Sequence, residues 1–519
     1  MNIKRMLLKF ITSNKYHSFL KDTQNPEQSQ NELWQNEIFP LLKRGLFWPQ
    51  RMDLSQQDQL NCFEITSYED YQPYLDKALA TTTQPFNGED ILFWSETSAT
   101  TGNRKYFPIT KTFQKQFQRT MAPYFYSLLQ RYPKFLKQKM LYLAAWETGI
   151  QSPAKIKMGL ISYYNYKNLP KLIQSFYALP IEIFRDETTF NQWAPVYALA
   201  HDLSAVFAVV PIVMDTFLKT CLENIHAYLP YLLNEKSMPD DLPGLNISKE
   251  RLLYLNTLNY NATLHYKDIW PGLTLAGCWT QGPCSVYAHH LAQELGDTVS
   301  LLDGTYSATE GWLTVPIDNE HQGGVLHPRT HIVEFIEENQ PIKKENLLSC
   351  AQLALGKKYE VFLTTAMGFV RYRLKDVVEC TGYFNKTPII RFCYKVSRLL
   401  LASRLLLDFF ALTESDLRRA LAEVDIHIKP YWYFACDNQR DCLYLVVDRD
   451  ASISQNDAHA IHSALIKTNE KYAYESKQGG ILPCKIARFE KQVLLKNHHA
   501  QTKPKIISQD MLILEKGQL

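Results

Sequence analysis

No Cys-x-x-Cys pair occurs in the chain, and none of the ten cysteines (62, 221, 278, 284, 350, 380, 393, 436, 442 and 484) stands in a close Cys/His clamp. Zinc ligation and a disulfide framework both lack their spacing, and a reduced, cytoplasmic compartment is expected. Charge of one sign is not in excess either: 56 Lys and Arg against 53 Asp and Glu leave +3 with histidines neutral. That balance supplies no long-range field for a polyanion, so nucleic acid is not the expected partner. The longest apolar run, 205–214, is broken by Pro211 and bounded by Asp202 and Asp215, well short of the roughly 20 residues a bilayer span needs. No internal repeat, long linker or low-complexity stretch appears. The patterns G-x-x-x-x-G-K-[ST], G-x-G-x-x-G and G-x-S-x-G are all missing, which excludes a Walker loop, a Rossmann fingerprint and an α/β-hydrolase elbow.

What is present suffices for a large folded protein. Across 519 residues, 46% apolar and 21% charged side chains support a sizeable core, and the length suggests about three folding units or one large domain with an appendage. Aromatics reach 13%; they pack cores and line pockets. Ile3, Met6, Leu7, Phe10 and Ile11 recur at helical spacing with cations between them and no small-residue cleavage site, so the N-terminus reads as an amphipathic docking helix, not a signal peptide. Residues 1 to about 90 read as helices covering a core. From about 90 to 400, short apolar runs at 140–146, 273–279, 331–338 and 359–365 alternate with helical stretches, which argues for α/β layers with a largely parallel sheet. Thr413 followed by Asp416 makes a capping box for a helix; strands at 431–437 and 442–450, a helix near 457–474 and a strand near 483–489 follow. The chain therefore divides near 400 into a large α/β unit and a small α+β one.

Three segments carry chemistry. In 91–108 a strand runs into Ser95, Thr97, Ser98, Thr100 and Thr101 before Gly102, Arg104 and Lys105, the residue types of a phosphate-binding turn. In 301–316 a strand-to-turn passage with hydroxyls ends at Glu310, a carboxylate suited to Mg2+ beside phosphates. In 368–384 Asp376 stands at the end of a basic strand, where it could accept both hydroxyls of a ribose or pair with Arg371 or Arg373. Singly, each is better explained by a bland alternative: a solvated turn, a capping Glu and a surface ion pair. His289–His290 lacks the Asp-Gly of acyltransferases, and His459 and His462, one helical turn apart, have no matching third ligand.

Together and in this order, the segments resemble the adenylate-forming superfamily, and within it the Gretchen Hagen family of acyl-acid amido synthetases, known from auxin-responsive plant proteins and their bacterial relatives. TSATTGNRKYFP (97–108) is similar to the family's phosphate loop, TYSATEG (305–311) to its adenine and magnesium motif, RYRLKDVV (371–378) to its ribose motif, and AQTKPK (500–505) to the element holding its catalytic lysine. The resemblance implies a large N-terminal adenylate-forming domain (1–400) of layered α/β structure, with mixed sheets and a barrel portion among the options, and a small mobile C-terminal α+β domain (401–519). It implies ATP and Mg2+ as cofactors and, as partners, a carboxylic acid and an amine, typically of an amino acid. The acid attacks the α-phosphate of ATP, and the amine attacks the acyl adenylate. By the same resemblance Ser98, Thr100, Thr101 and Gly102 take the phosphates, Thr309 and Tyr306 the adenine side, Asp376 the ribose and Glu310 the magnesium, while Lys503 bridges the α-phosphate and the carboxylate.

The sequence departs from the family in places. Phe409, Phe410, Ala411 and Leu412 stand where a charged pair ending in Lys is common; Lys375 precedes Asp376 where the family has Gly. Ala99, Lys395 and Lys505 replace a commoner Ser or Gly, an Arg and an Arg. Two alternatives stay open: a ligase passing the acyl group to a thiol such as coenzyme A and, on the departures at Lys375 and 409–412, a non-catalytic relative that binds nucleotide or acid. The stretches 156–167 and 205–213 suggest an aromatic and apolar acid pocket.

Overall fold

The computed structural model describes residues 3–55, 59–81, 86–97, 105–258, 260, 263–318, 321–396, 398–402, 409–424, 432–436 and 442–489. The N-terminal segment folds as expected into a long helix, α1 (Ile3–Asp22), and helices continue through the first ninety residues, among them α2 (Tyr68–Ala80). Ser67 and Asp70 start α2 with a reciprocal capping box.

Two sheets form the large domain. The first is a four-stranded parallel sheet of β3 (Lys139–Leu143), β5 (Leu203–Ala208), β6 (Leu275–Cys278) and β7 (Ser300–Asp303), in that spatial order. Helices α4 (Glu187–Leu199), α5 (Pro211–Glu223) and α6 (Ser285–Leu295) lie in the crossovers that parallel pairing demands. β6 is buried along its whole length, as a strand covered on both faces must be.

The second sheet is antiparallel throughout. Its order is β10 (Thr314–Val315), β11 (Gly324–Leu326), β15 (Thr387–Lys395), β14 (Tyr372–Phe384), β13 (Lys358–Thr364) and β12 (Ile332–Glu337). The expectation of a largely parallel sheet is thus half right. The reason lies in β13, where every residue from Tyr359 to Thr364 is buried, because the N-terminal helices pack Trp34, Phe47 and Tyr71 into one core with Val361 and Leu363. An antiparallel strand covered so fully reads in sequence like a parallel one. The sheet ends at β10 and β12, so no closed barrel forms among the described residues.

A third, smaller sheet joins β1 (Phe93–Glu96), β2 (Tyr106–Ile109) and β4 (Met158–Gly159); β2 leads into α3 (Lys111–Arg131), whose N-cap Thr110 accepts from the Phe113 N–H. Past the two-stranded hairpin of β16 (Arg398–Ala402) and β17 (Phe409–Thr413), the chain builds a separate small core. There α7 (Glu414–Ala422), α8 (Gln455–Thr468) and α9 (Glu470–Lys477) pack on the sheet of β18 (Trp432–Cys436), β19 (Cys442–Asp448) and β20 (Leu482–Phe489). The capping box at Thr413 and Asp416 is present, with Thr413 Oγ1 donating to Asp416 Oδ2 over 2.6 Å. The single helix expected near 457–474 is instead two, because Asn469 leaves the helical conformation and caps the second by accepting from the Tyr472 N–H at 2.9 Å.

Candidate active site

The carboxyl ends of parallel strands are where a ligand finds room, and here Ala208, Val209, Cys278, Trp279, Asp303 and Gly304 open onto one cavity of about 1170 Å³. Three chain segments far apart in sequence meet at one of its ends.

The first is the hairpin of β8 (Ser307–Ala308) and β9 (Gly311–Trp312), which presents Thr309 and Glu310 at its two-residue turn, on the cavity wall. Trp312 anchors it against Phe113 and Phe117 of α3 (ring centroids 5.5 and 4.5 Å apart). Gly311 has no room for a side chain, since a Cβ would lie 2.7 Å from the His331 ring. The hairpin tip therefore rests directly on a buried imidazole. Burial raises the Glu310 carboxyl above its ordinary range, and the Lys395 ammonium draws it part of the way back.

Tyr306, just before this hairpin, is fixed by its backbone: its N–H donates to Thr314 Oγ1 (2.8 Å) and its carbonyl accepts from the Leu313 N–H (2.9 Å). The phenol donates to Asp376 Oδ2 at 2.9 Å, and its ring stacks on Phe392 with centroids 5.7 Å apart.

Asp376 belongs to the second segment. It lies within β14, not at the end of a basic strand as its sequence suggested, and it faces Lys395 across the β14/β15 ladder with Lys395 Nζ 3.3 Å from Oδ1. Burial alone would lower the Lys395 ammonium, but Asp376 and then Glu310 outweigh it and hold it above its ordinary value. The neighbouring arginines are occupied elsewhere: Arg371 forms a fork on Glu334 (2.9 and 2.8 Å) and Arg373 one on Glu360 (2.6 and 3.0 Å). The ion pair of Asp376 with either of them is thereby excluded. A bulge brings Asp376 into place, because only Val361 separates Glu360 from Phe362 on β13, whereas Leu374, Lys375 and Asp376 separate their partners Arg373 and Val377 on β14. At its centre Lys375 adopts φ +60°, the left-handed conformation that the family's glycine would hold at lower cost.

The third segment is the neck between β1 and β2. Thr97 N–H donates to the Lys105 carbonyl at 3.0 Å and Lys105 N–H to Thr97 Oγ1 at 3.4 Å, so the neck closes on the cavity wall. The Lys105 ammonium lies 5.0 Å from the centre of the Tyr68 ring and donates to the Tyr372 hydroxyl (3.4 Å). Burial lowers its pKa, while Glu310 acts to raise it. Ser98, Thr100, Thr101 and Gly102, expected on the phosphates, and Lys503, the expected catalytic lysine, lie outside the described residues.

The far end of the cavity is aromatic and apolar. Met121 and Phe125 of α3 line it with Tyr142, Tyr166 and Phe207, and both stretches singled out in the sequence contribute to the wall. Sequence reasoning missed Phe392 and Asp303, whose carboxyl is pushed up to about 6 by desolvation; a ring such as Phe392, which stacks on Tyr306 from β15, carries no sequence signal without the fold. The other candidates fall away. His462 bonds Tyr472 Oη (2.7 Å), His289 lies near Gln293, and no group of three or more His, Cys, Asp or Glu is gathered for a metal among the described residues.

The model of the GH3 family N-terminal domain matches residues 15–299, and that of the GH3 family central domain matches 324–395. The chain belongs to the GH3 family. It is 23% identical to the indole-3-acetic acid-amido synthetase GH3.3 of Arabidopsis thaliana over 387 residues, 65% of this chain and 61% of that one. It is 29% identical over 171 residues to the jasmonoyl–L-amino acid synthetase GH3.5 of Oryza sativa subsp. japonica, covering 30% of this chain and 28% of the relative. Both matches span less than two thirds of the relative's length. In structure the chain resembles the AtGH3.15 acyl acid amido synthetase in complex with 2,4-DB, with a TM-score of 0.77 and 17% identity, covering 97% of this chain and 96% of the other. That likeness is one of fold: a large α/β domain followed by a smaller one, as the motifs implied.

Proposed function

We propose that the chain is an ATP- and Mg2+-dependent ligase that joins a carboxylic acid to an amine, that of an amino acid, through an acyl adenylate. One observation carries the reading. Tyr306, Glu310 and Asp376 come from separate turns and strands and gather at one end of a cavity large enough for a nucleotide and an acid together. Membership of the GH3 family supports the same chemistry.

A carboxylate is a poor acyl donor because its leaving group is poor; joining it to AMP supplies a good one. The reaction concentrates charge on phosphate oxygens, so the protein's task is positioning and electrostatic stabilisation. Asp376, held between the Tyr306 hydroxyl and Lys395, presents fixed acceptors to the ribose hydroxyls. Tyr306 and Phe392 offer the flat surfaces against which adenine packs. Lys105 and the loop residues Ser98, Thr100, Thr101 and Gly102 receive the phosphates, while Thr309 stays on the adenine side with Tyr306. Magnesium fits the donor set, since an ion that keeps several waters needs only one or two carboxylates, and Glu310 stands at the hairpin tip with its charge penalised by burial. When bound, the ion would neutralise phosphate charge. Lys503 would approach from the small domain, 401–519, which moves against 1–400. The aromatic end of the cavity suits an apolar acid. All ten cysteines are free thiols, which suits a reducing, cytoplasmic setting, and no described helix is long and apolar enough to cross a membrane.

Carboxylate-dependent exchange of pyrophosphate into ATP over a broad panel of acids tests the reading. Exchange with at least one acid is expected, and product mass then separates an amide from a thioester. No exchange with any acid, in protein that still binds ATP, refutes it.

A further inference from the structure

The charge of the chain is unevenly distributed. The segments 3–21 and 110–139 hold twelve Lys and Arg and no Asp or Glu, leaving forty-four cations against fifty-three acids in the rest. These two segments are α1 and α3 with the loop after α3, and they pack together antiparallel. Arg5 donates to the carbonyls of Leu129 and Phe135 (3.0 and 3.1 Å), Lys9 Nζ reaches Gln130 Oε1 (3.4 Å), and the rings of Tyr16 and Tyr126 lie 4.6 Å apart. Some of the cations are spent internally, as Arg119 is on Glu37 at 2.8 Å. Lys9, Lys134 and Lys137 remain exposed on the outside.

On the same helix as Lys9, α1 exposes an apolar face. Met6, Leu7, Phe10 and Ile11 are 49, 43, 75 and 50% exposed, at the i, i+1, i+4 and i+5 positions that share one side of a helix. The opposite side is used: Leu8 and Thr12 are buried and line the cavity, whose rim Ile11 reaches from the edge of the exposed face. All four residues precede residue 15, where the family match begins.

We propose that the outer face of α1 docks on an anionic lipid bilayer. Four exposed apolar side chains with Lys9 on the same helix and Lys134 and Lys137 in the adjoining loop are the makings of an interfacial helix, which sinks its apolar side into the headgroup boundary while the cations meet lipid charge. A second copy of this chain is a poor occupant, because face-to-face pairing would bring two lysine sets together. Nucleic acid would use the lysines but not the apolar side chains. Docking in this way sets the cavity rim at Ile11 beside the membrane surface, where apolar acids partition. The proposal does not depend on the adenylation chemistry.

Flotation of the full-length protein with vesicles tests it. The protein should float with phosphatidylcholine vesicles containing about 30% phosphatidylserine, at least tenfold less with phosphatidylcholine alone, and should be released by about 0.5 M salt. Leu7→Glu with Phe10→Glu should abolish binding. Lys9→Gln, Lys134→Gln and Lys137→Gln should each lower the partition coefficient roughly fivefold. Lys343→Glu, on the antiparallel-sheet side of the chain, should bind as the wild type does, and thermal melts check that each variant folds. Absence of binding to the anionic vesicles, equal binding to neutral ones, or indifference to the lysine substitutions overturns the proposal. So does self-association of the wild type that Phe10→Glu abolishes, which would assign the face to a second copy.

Discussion

Removing the charge of Asp376 tests the site cluster most directly. Its side chain is 1% exposed and accepts from the Tyr306 hydroxyl at 2.9 Å and from Lys395 Nζ at 3.3 Å. At that separation and an effective dielectric of about 20, the gross attraction to Lys395 is roughly 5 kcal/mol, but desolvating both ions offsets most of it. Lys395 also keeps 45% of its side chain in contact with solvent, which screens the pair further. A net cost of about 1–2 kcal/mol is expected for Asp376→Asn, which retains an acceptor for Tyr306. Lys395→Met should cost more, about 2–4 kcal/mol, because it strands a buried carboxylate. The double variant should cost less than the sum by about 1–2 kcal/mol. Urea unfolding followed by tryptophan fluorescence measures all four corners of the cycle. Additivity within about 0.5 kcal/mol would refute the coupling, and with it the view that Lys395 holds Asp376 in position.

Two further predictions concern conformation and pH. Lys375 sits at φ +60°, so Lys375→Gly should stabilise the protein by about 0.5–1 kcal/mol in thermal melts whereas Lys375→Ala should not; equal effects of the two would show that the backbone is not under strain there. His327 and His331 are held neutral, with burial pulling both pKa values down to about 3, well below the 6.5 of the unfolded chain. The unfolded state then binds the extra protons, so stability is full above pH 6.5 and is lost as the pH falls, by about 2 kcal/mol for each histidine at pH 5. Denaturation midpoints between pH 5 and 7 that do not move would contradict this.

Much of the architecture is legible in the sequence because it rests on local rules. Each apolar run between 140 and 365 becomes a strand, and Thr413 with Asp416 starts a helix where the cap chemistry says it should. The direction of pairing is not local, and β13, buried on every residue from Tyr359 onward, hides an antiparallel sheet behind a parallel-looking pattern. At the site, the motifs identify Tyr306, Glu310 and Asp376, and the three do converge on one cavity. Lys395 stands out in sequence only as a departure from Arg; its role as the partner of Asp376 follows from a cross-strand register that links positions 19 apart. The left-handed turn at Lys375 is signalled only by the glycine the family carries there, since the lysine itself gives no warning of it.

The contact between Gly311 and His331 bears on how any acid limb in an activity profile is to be read. The imidazole that resists protonation is the seat on which the Glu310 turn rests, so acid that charges the ring also unseats the carboxylate. Loss of turnover and loosening of the interior would then arrive over the same span of pH. Since the folded ring is held down to about 3, it takes up a proton in mild acid only as the protein opens, so a signal that fades there would report unfolding as much as the titration of an acid, and only a simultaneous probe of the protein's own compactness tells the two apart.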